Sequence, residues 1–368
     1  MSTSGEPHCK KRKLADALDD AYTGGAARAQ SAVIRDEHIW FEDGTIIVRA
    51  GPGCTGAGAV YGFRCHGSVL AARSPVFKTM LQLPNDSGER LEGAHCVDLT
   101  DAWEDVRDLL RLLYDFFDLT IVNANASRHP NTLAFIAGPM RLAAKYEMDS
   151  VLEQLRPLLT RDWPDTFEDW LRTERAQGEY QWPELQDPAA VVQLAQQARV
   201  RSVLPGAYYD LARVYLHTAQ FHSVAERFAD ARRLARDDLE RVAAGRERIA
   251  RHVGALPMLH MDEEYARCAL AGAGVLCRKL VVGSGSPCVE GFRVWWRDSA
   301  LEQMETLFRD PLAVLDAQGR ELHGAFPPKR IDTICRACRI WYSCHFLKEA
   351  QELWEKLPEF FELSSLPF

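Results

Sequence analysis

Apolar positions in the N-terminal third change from a strand-like to a helical pattern. Residues 45–50 are rich in β-branched side chains and predict a strand, and the strand-like run "VYGFRC" follows a glycine-rich stretch. In residues 64–81, apolar pairs recur at helical spacing on both sides of Ser74-Pro75. Serine is a common N-cap and proline is tolerated at the first helical position, so this segment predicts two short helices joined by a corner.

The pattern continues with one more strand and three helices. The stretch "HCVDLT" predicts a short strand, and "WEDVRDLLRLLYD" places its leucines on one face of a helix. Two further helices are predicted over 132–148 and 149–163, the second capped by Asp149 and Ser150. Strands followed by helices in this order indicate an α+β domain, which we place at residues 36–165.

The second half of the chain is helical by its apolar spacing. Residues 166–188 are rich in proline, tryptophan and charge and are interpreted as a linker, so 189–368 forms an all-α domain. The last helix is predicted to end at Leu357-Pro358. Further helices are predicted over 189–200, 205–216, 223–243 and 298–308.

Composition narrows the function classes. The chain has 368 residues, 47% hydrophobic and 26% charged, which is ordinary for a soluble globular protein. Its net charge of −8 disfavours a general binder of phosphate backbones. There is no apolar run of membrane-spanning length and no secretory signal, so the ten cysteines are expected to be reduced thiols in an intracellular compartment.

Residues 1–35 are small, polar and charged and predict a disordered tail. The tail contains one compact basic run, Lys10, Lys11, Arg12 and Lys13. This run fits a nuclear import signal, and the alternative is a solvated charge cluster without that role.

Two motifs suggest bound groups. Gly51, Gly53 and Gly56 match G-x-G-x-x-G, but no helix opens directly after them, so we interpret the stretch as an enlarged hairpin loop.

Zinc-like spacing occurs at Cys335 and Cys338, with Cys344 and His345 close behind. A remaining ligand would come from Cys268, Cys277 or Cys288. At helical spacing, residues 335, 338, 342 and 345 share a face, so we expect buried packing cysteines without a metal or other cofactor. Cys344 and His345 point in different directions on a helix, and the sequence carries no enzyme motif. We expect no catalytic residues.

Several segments match a known family in the right order. They are "DGTIIV", "GFRCHGSVLAARSPVFKTML", "HCVDLTD", "VRDLLRLLYD" and "LAAKYEMDSVLEQL". Residues 36–165 therefore resemble the BTB/POZ domain, in the form found in fungal proteins with a helical C-terminal extension.

The resemblance implies a protein–protein interaction fold that forms homodimers and recruits a partner, with residues 66–81 as a helical hairpin that belongs partly to the dimer face. It nominates six candidate interface residues: Phe63, His66, Val69, Leu70, Val76 and Phe77. The alternatives are a substrate adaptor of a cullin-type ubiquitin ligase and a nuclear transcriptional regulator that acts through partners. The partner would then be a cullin or a transcriptional co-regulator, and we expect no membrane and no direct nucleic-acid contact.

Overall fold

The protein is mixed α/β, with a sheet in its N-terminal part and helices in its C-terminal part. The computed structural model describes residues 33–55, 58–83, 90–114, 132–177, 187–214, 234–256, 287–324 and 331–366.

The described residues group into two compact units. The first comprises 33–66 and 90–103, and the second comprises 67–83 and the described residues from 104 onward. This grouping divides the chain differently from the predicted domains at 36–165 and 189–368, and independent folding of those domains stays a prediction.

A five-stranded sheet dominates the first unit. Its strands are β1 (Val33–Trp40), β2 (Ile46–Ala50), β3 (Val60–Cys65), β4 (Arg90–Leu91) and β5 (Ala94–Asp98). They are ordered β1-β3-β2-β5-β4 across the sheet. β2 pairs antiparallel with β3 and parallel with β5, which makes it the central strand. The predicted strand-loop-strand arrangement of β2 and β3 is confirmed, and a short helix α1 (Pro52–Thr55) lies in the glycine-rich loop.

The core of this unit follows from the uninterrupted apolar run of β2. A central strand is covered on both faces, so Ile46, Ile47 and Val48 are all buried. Ile47 packs with Ala94 and Cys96 of β5. The position of β2 is therefore set by the burial of consecutive β-branched side chains.

Strand β1 is absent from the prediction. It begins at Val33, inside the segment interpreted as a disordered tail, and pairs parallel with β3. Most of its side chains are at least partly exposed, because it forms one edge of the sheet. Its apolar residues stand in pairs at the two ends, Val33-Ile34 and Ile39-Trp40, with four polar residues between them. The strand therefore lacks the apolar alternation by which strands are recognised in sequence.

The predicted helices after the sheet strands are present. They are α2 (Gly67–Arg73), α3 (Pro75–Gln82), α4 (Trp103–Leu113), α5 (Thr132–Lys145) and α6 (Asp149–Asp162). In α4, Val106, Leu109 and Leu110 are buried, as the predicted apolar face requires. The cap proposed for α6 is wrong: Met148 is the N-cap residue and makes no side-chain bond, because the helix already begins at Asp149.

The corner between α2 and α3 is confirmed at Ser74. The Ser74 hydroxyl oxygen accepts a hydrogen bond from the Phe77 amide at 3.0 Å, and Pro75 occupies the first turn of α3. The same hydroxyl donates to the Tyr146 carbonyl oxygen at 2.5 Å. One buried side chain therefore caps a helix and ties the hairpin to the segment after α5.

We expect Ser74→Ala to lower the free energy of unfolding by about 1–3 kcal/mol, because it removes an N-cap and leaves a buried carbonyl without its partner. Urea denaturation measures this loss. Ser68→Ala, at an exposed position of α2, is the control and should change stability by less than about 0.5 kcal/mol. Equal losses in both variants would contradict the assigned role of Ser74.

The rest of the second unit, where it is described, is helical, as predicted. Residues 223–233 of the helix predicted over 223–243 lie outside the described residues. Its helices are α7 (Phe167–Gln177), α8 (Pro188–Gln197), α9 (Leu204–Val214), α10 (Arg236–Gly254), α11 (Pro287–Arg309), α12 (Pro311–His323) and α13 (Arg336–Phe360). Helix α7 lies within the predicted linker at 166–188, and its Trp170 is buried. Trp170 packs against Tyr209 and Trp354, with ring centroids 5.8 and 5.5 Å apart. The high charge of this segment concealed an apolar face.

The last helix differs from the prediction at both ends. It begins at Arg336, so Cys335 is its N-cap residue and lies outside the helix. It also continues through Pro358 to Phe360. Burial of Phe360 and Phe361 favours this continuation and offsets the hydrogen bond that a proline cannot donate.

Among the described residues, no helix combines the length and the apolar character needed to cross a membrane.

Candidate functional site

The candidate interface residues of the helical hairpin divide into two groups. Phe63, Leu70 and Phe77 are only 1–2% exposed and belong to the interior of the chain. The Phe77 ring lies 4.5 Å from that of Tyr146. A side chain in the chain's own interior is not available to a second protein. Leu70 and Phe77 therefore support the hairpin from within, and Phe63 belongs to the interior of the first unit.

The other three candidates are partly exposed. Val69 lies in α2 and Val76 in α3, and both are half-buried. His66 lies just before α2, where its Nε2 is 3.2 Å from a carboxylate oxygen of Asp43. Hydrogen bonding from His66 lowers the pKa of the Asp43 carboxyl.

Further apolar side chains lie beside Val76. Met80, one helical turn later, is half-buried, and Leu83 directly after α3 is 63% exposed. We call Val69, Val76, Met80 and Leu83 the hairpin surface. Leu83 was not among the predicted interface residues, and its exposure is found only in the structure.

The nuclear import candidate, Lys10 to Lys13, lies outside the described residues. Two of the three alternative metal ligands, Cys268 and Cys277, lie outside them as well.

Three cysteine side chains converge in the second unit. The sulfur atoms of Cys288, Cys335 and Cys338 all lie within 4.8 Å of one another. Cys288 and Cys338 are buried, and Cys335 is half-buried. The Cys335 amide donates a hydrogen bond to the Cys288 sulfur at 3.2 Å, and the Cys288 thiol donates to the Thr333 carbonyl oxygen at 3.8 Å. We call these three residues the thiol cluster.

The other residues of the zinc-like spacing are not part of this cluster. His345 follows Cys338 by about two helical turns, which corresponds to roughly 10 Å along the axis. Its ring stacks on Trp341 with centroids 5.3 Å apart, and its Nε2 is 3.4 Å from a Glu349 oxygen. Burial lowers the pKa of His345, and Cys344 is exposed. The predicted shared face fails for Cys335, because that residue precedes the helix.

A buried charge network in the second unit was not predicted from the sequence. The Arg213 guanidinium of α9 binds both carboxylate oxygens of Glu174 in α7, at 2.7 and 2.8 Å. It also lies 2.6 Å from Asp210 and 3.1 Å from Asp310. The Tyr209 hydroxyl donates to Asp310 at 2.7 Å and accepts from the Leu312 amide.

The three carboxylates together outweigh the effect of burial on the pKa of Arg213. Burial alone lowers the pKa of Arg213, but Asp210, Asp310 and Glu174 together raise it well above its ordinary value. Burial and the neighbouring Asp310 raise the pKa of Tyr209 as well. The network therefore holds α7, α9 and the start of α12 together through one permanent cation. Asp210 is three residues from Arg213, but Glu174 and Asp310 are 39 and 97 residues away, so no local sequence signal reveals the whole network.

Comparison of the chain with models of protein families, with curated proteins and with solved structures finds no significant match.

Proposed function

We propose that this chain is an interaction protein of the BTB/POZ type, which forms a homodimer and recruits a further protein. The observation that carries the proposal is the succession of elements between Ile46 and Asp162. Strands β2 and β3, with the short helix α1 between them, are followed by two helices joined at a corner, the strands β4 and β5, and three helices. The segments that resemble the family occur in the same order. Function does not follow from fold alone, so the proposal also needs a surface.

The hairpin surface supplies that second support. Its four members are apolar and remain partly exposed, with Leu83 the most exposed. Fully burying one such side chain contributes about 1.5–3 kcal/mol. In a two-fold dimer each contact occurs twice, so each apolar side chain at the interface contributes twice to association. We assign a second copy of this chain as the occupant, because the resemblance places part of the hairpin at the dimer face.

Val76→Glu tests this surface in the full-length protein. We expect the dissociation constant of the dimer to rise by at least about tenfold, which corresponds to about 1.4 kcal/mol, because the two-fold axis brings two buried carboxylates into one interface. Sedimentation analysis at several concentrations measures the constant.

Gln82→Glu is the matched control for this experiment. It adds the same charge at an exposed position of α3 outside the hairpin surface, so the dimer should persist. Circular dichroism establishes that both variants are folded. A dimer equally strong in Val76→Glu and Gln82→Glu would exclude the hairpin surface as the interface.

A further inference from the structure

We propose that the thiol cluster, Cys288, Cys335 and Cys338, binds one zinc ion. The inference is independent of the proposed interaction function, because it rests on three side chains at the starts of α11 and α13. It also replaces the expectation that these cysteines only fill space in the core.

The distances favour a metal over a disulfide. Zinc binds thiolate sulfur at about 2.3 Å in a tetrahedral arrangement, which places any two ligand sulfurs roughly 3.8 Å apart. The three sulfur atoms lie within 4.8 Å of one another, so the chain brings them close to this spacing. A disulfide joins two sulfurs and leaves the third without a role.

Two helix N-termini surround the cluster. Cys288 is the second residue of α11, Cys335 is the N-cap residue of α13 and Cys338 is the third residue of that helix. The positive end of a helix dipole stabilises a nearby thiolate, and the thiolate is the form that binds metal. Two long helices therefore favour ionisation at the same place.

Backbone contacts hold the three sulfurs in position. The hydrogen bond from the Cys335 amide to the Cys288 sulfur joins the starts of the two helices. Gly291 lies one turn after Cys288, and a β-carbon there would overlap the Thr333 side chain, so the segment before α13 packs directly on α11. Ile331 and Ile334 of that segment are buried. The site is consequently formed by packed residues and does not depend on long side chains.

The cluster provides three of the four ligands that zinc takes. The fourth ligand comes from outside this set, and His345 is too far along α13 to provide it. Cys335 is half-buried, whereas the other two thiols have no exposed surface. We therefore expect the remaining position to lie on the Cys335 side.

Elemental analysis of the full-length protein, purified without a metal-binding tag, tests the site. We expect one zinc per chain in the wild type. Cys288→Ser, Cys335→Ser and Cys338→Ser should each weaken zinc binding by more than about a hundredfold, since even changes behind the ligands cost about 10–100-fold. Cys344→Ser, at an exposed cysteine outside the cluster, should keep its zinc. A wild type that takes up no zinc, or a Cys335→Ser variant that retains it, would overturn the proposal.

A measurement on the wild type avoids the risk that a variant fails to fold. Cysteine alkylation followed by peptide mass spectrometry is compared with and without a zinc chelator. We expect the chelator to increase labelling at residues 288, 335 and 338 and to leave Cys344 labelled equally in both conditions. Labelling of the three cysteines that is unchanged by the chelator, or a native disulfide between two of them, would contradict a zinc site.

Discussion

Arg213→Met is expected to lower the free energy of unfolding by about 3–5 kcal/mol, one of the largest losses from a single substitution in this chain. Arg213 is 5% exposed and is the cation for Glu174, Asp210 and Asp310. Methionine fills a similar volume but brings no charge, so the variant leaves three carboxylates close together without the guanidinium that binds them. Removing one partner of a buried ion pair costs far more than removing both.

The matched control is Arg251→Met. Arg251 is 73% exposed and pairs with Glu247 one turn earlier in α10, and such surface pairs contribute about 0–1 kcal/mol. Urea denaturation of both variants gives the comparison. A loss below about 1 kcal/mol in Arg213→Met would show that the three carboxylates do not depend on this cation.

Trp170→Ala is expected to lower the free energy of unfolding by about 3–5 kcal/mol, the usual cost of truncating a buried aromatic side chain. Trp170 is 1% exposed and contacts the rings of Phe167, Tyr209 and Trp354. These contacts join α7 to α9 and α13. The variant leaves a cavity, and the large, rigid rings around it cannot move far enough to close it.

Trp341→Ala makes the same chemical change at a half-buried position and should lose less stability.

Limited proteolysis of the wild type provides an independent check on the packing of α7. We expect residues 167–177 to resist cleavage, because α7 is packed in the second unit. Cleavage there in the native protein, together with equal losses in the two tryptophan variants, would restore the interpretation of this segment as a linker.

The features predicted correctly from the sequence are those determined by neighbouring residues. Ser74 and Pro75 specify the start of α3 because both act on the backbone within one turn. The apolar spacing in residues 103–113 specifies the buried face of α4 in the same way. The β-branched run that forms β2 is equally local.

Features that depend on distant partners were missed in whole or in part. Strand β1 has no alternating apolar pattern and pairs with β3. The Arg213 network joins residues of α7 and α9 to the start of α12. The thiol cluster was found only in part: the spacing indicated Cys335 and Cys338, with Cys288 as one of three possible further ligands, and the structure brings Cys288 to that pair. Recognising the thiol cluster also requires the first residue of α13 to be known. The helix was predicted to begin before Cys335, which placed that residue on a packed face. The structure begins the helix at Arg336, so Cys335 is the N-cap residue.

The molar mass of the full-length wild-type protein in solution tests the central claim most directly. Light scattering coupled to size separation is applied to a dilution series through the micromolar range. The proposed two-fold association predicts a mass near twice the 41.5 kDa of one chain, with dissociation only at the lowest concentrations. A mass of 41.5 kDa at every concentration would contradict the homodimer and, with it, the assignment of the hairpin surface.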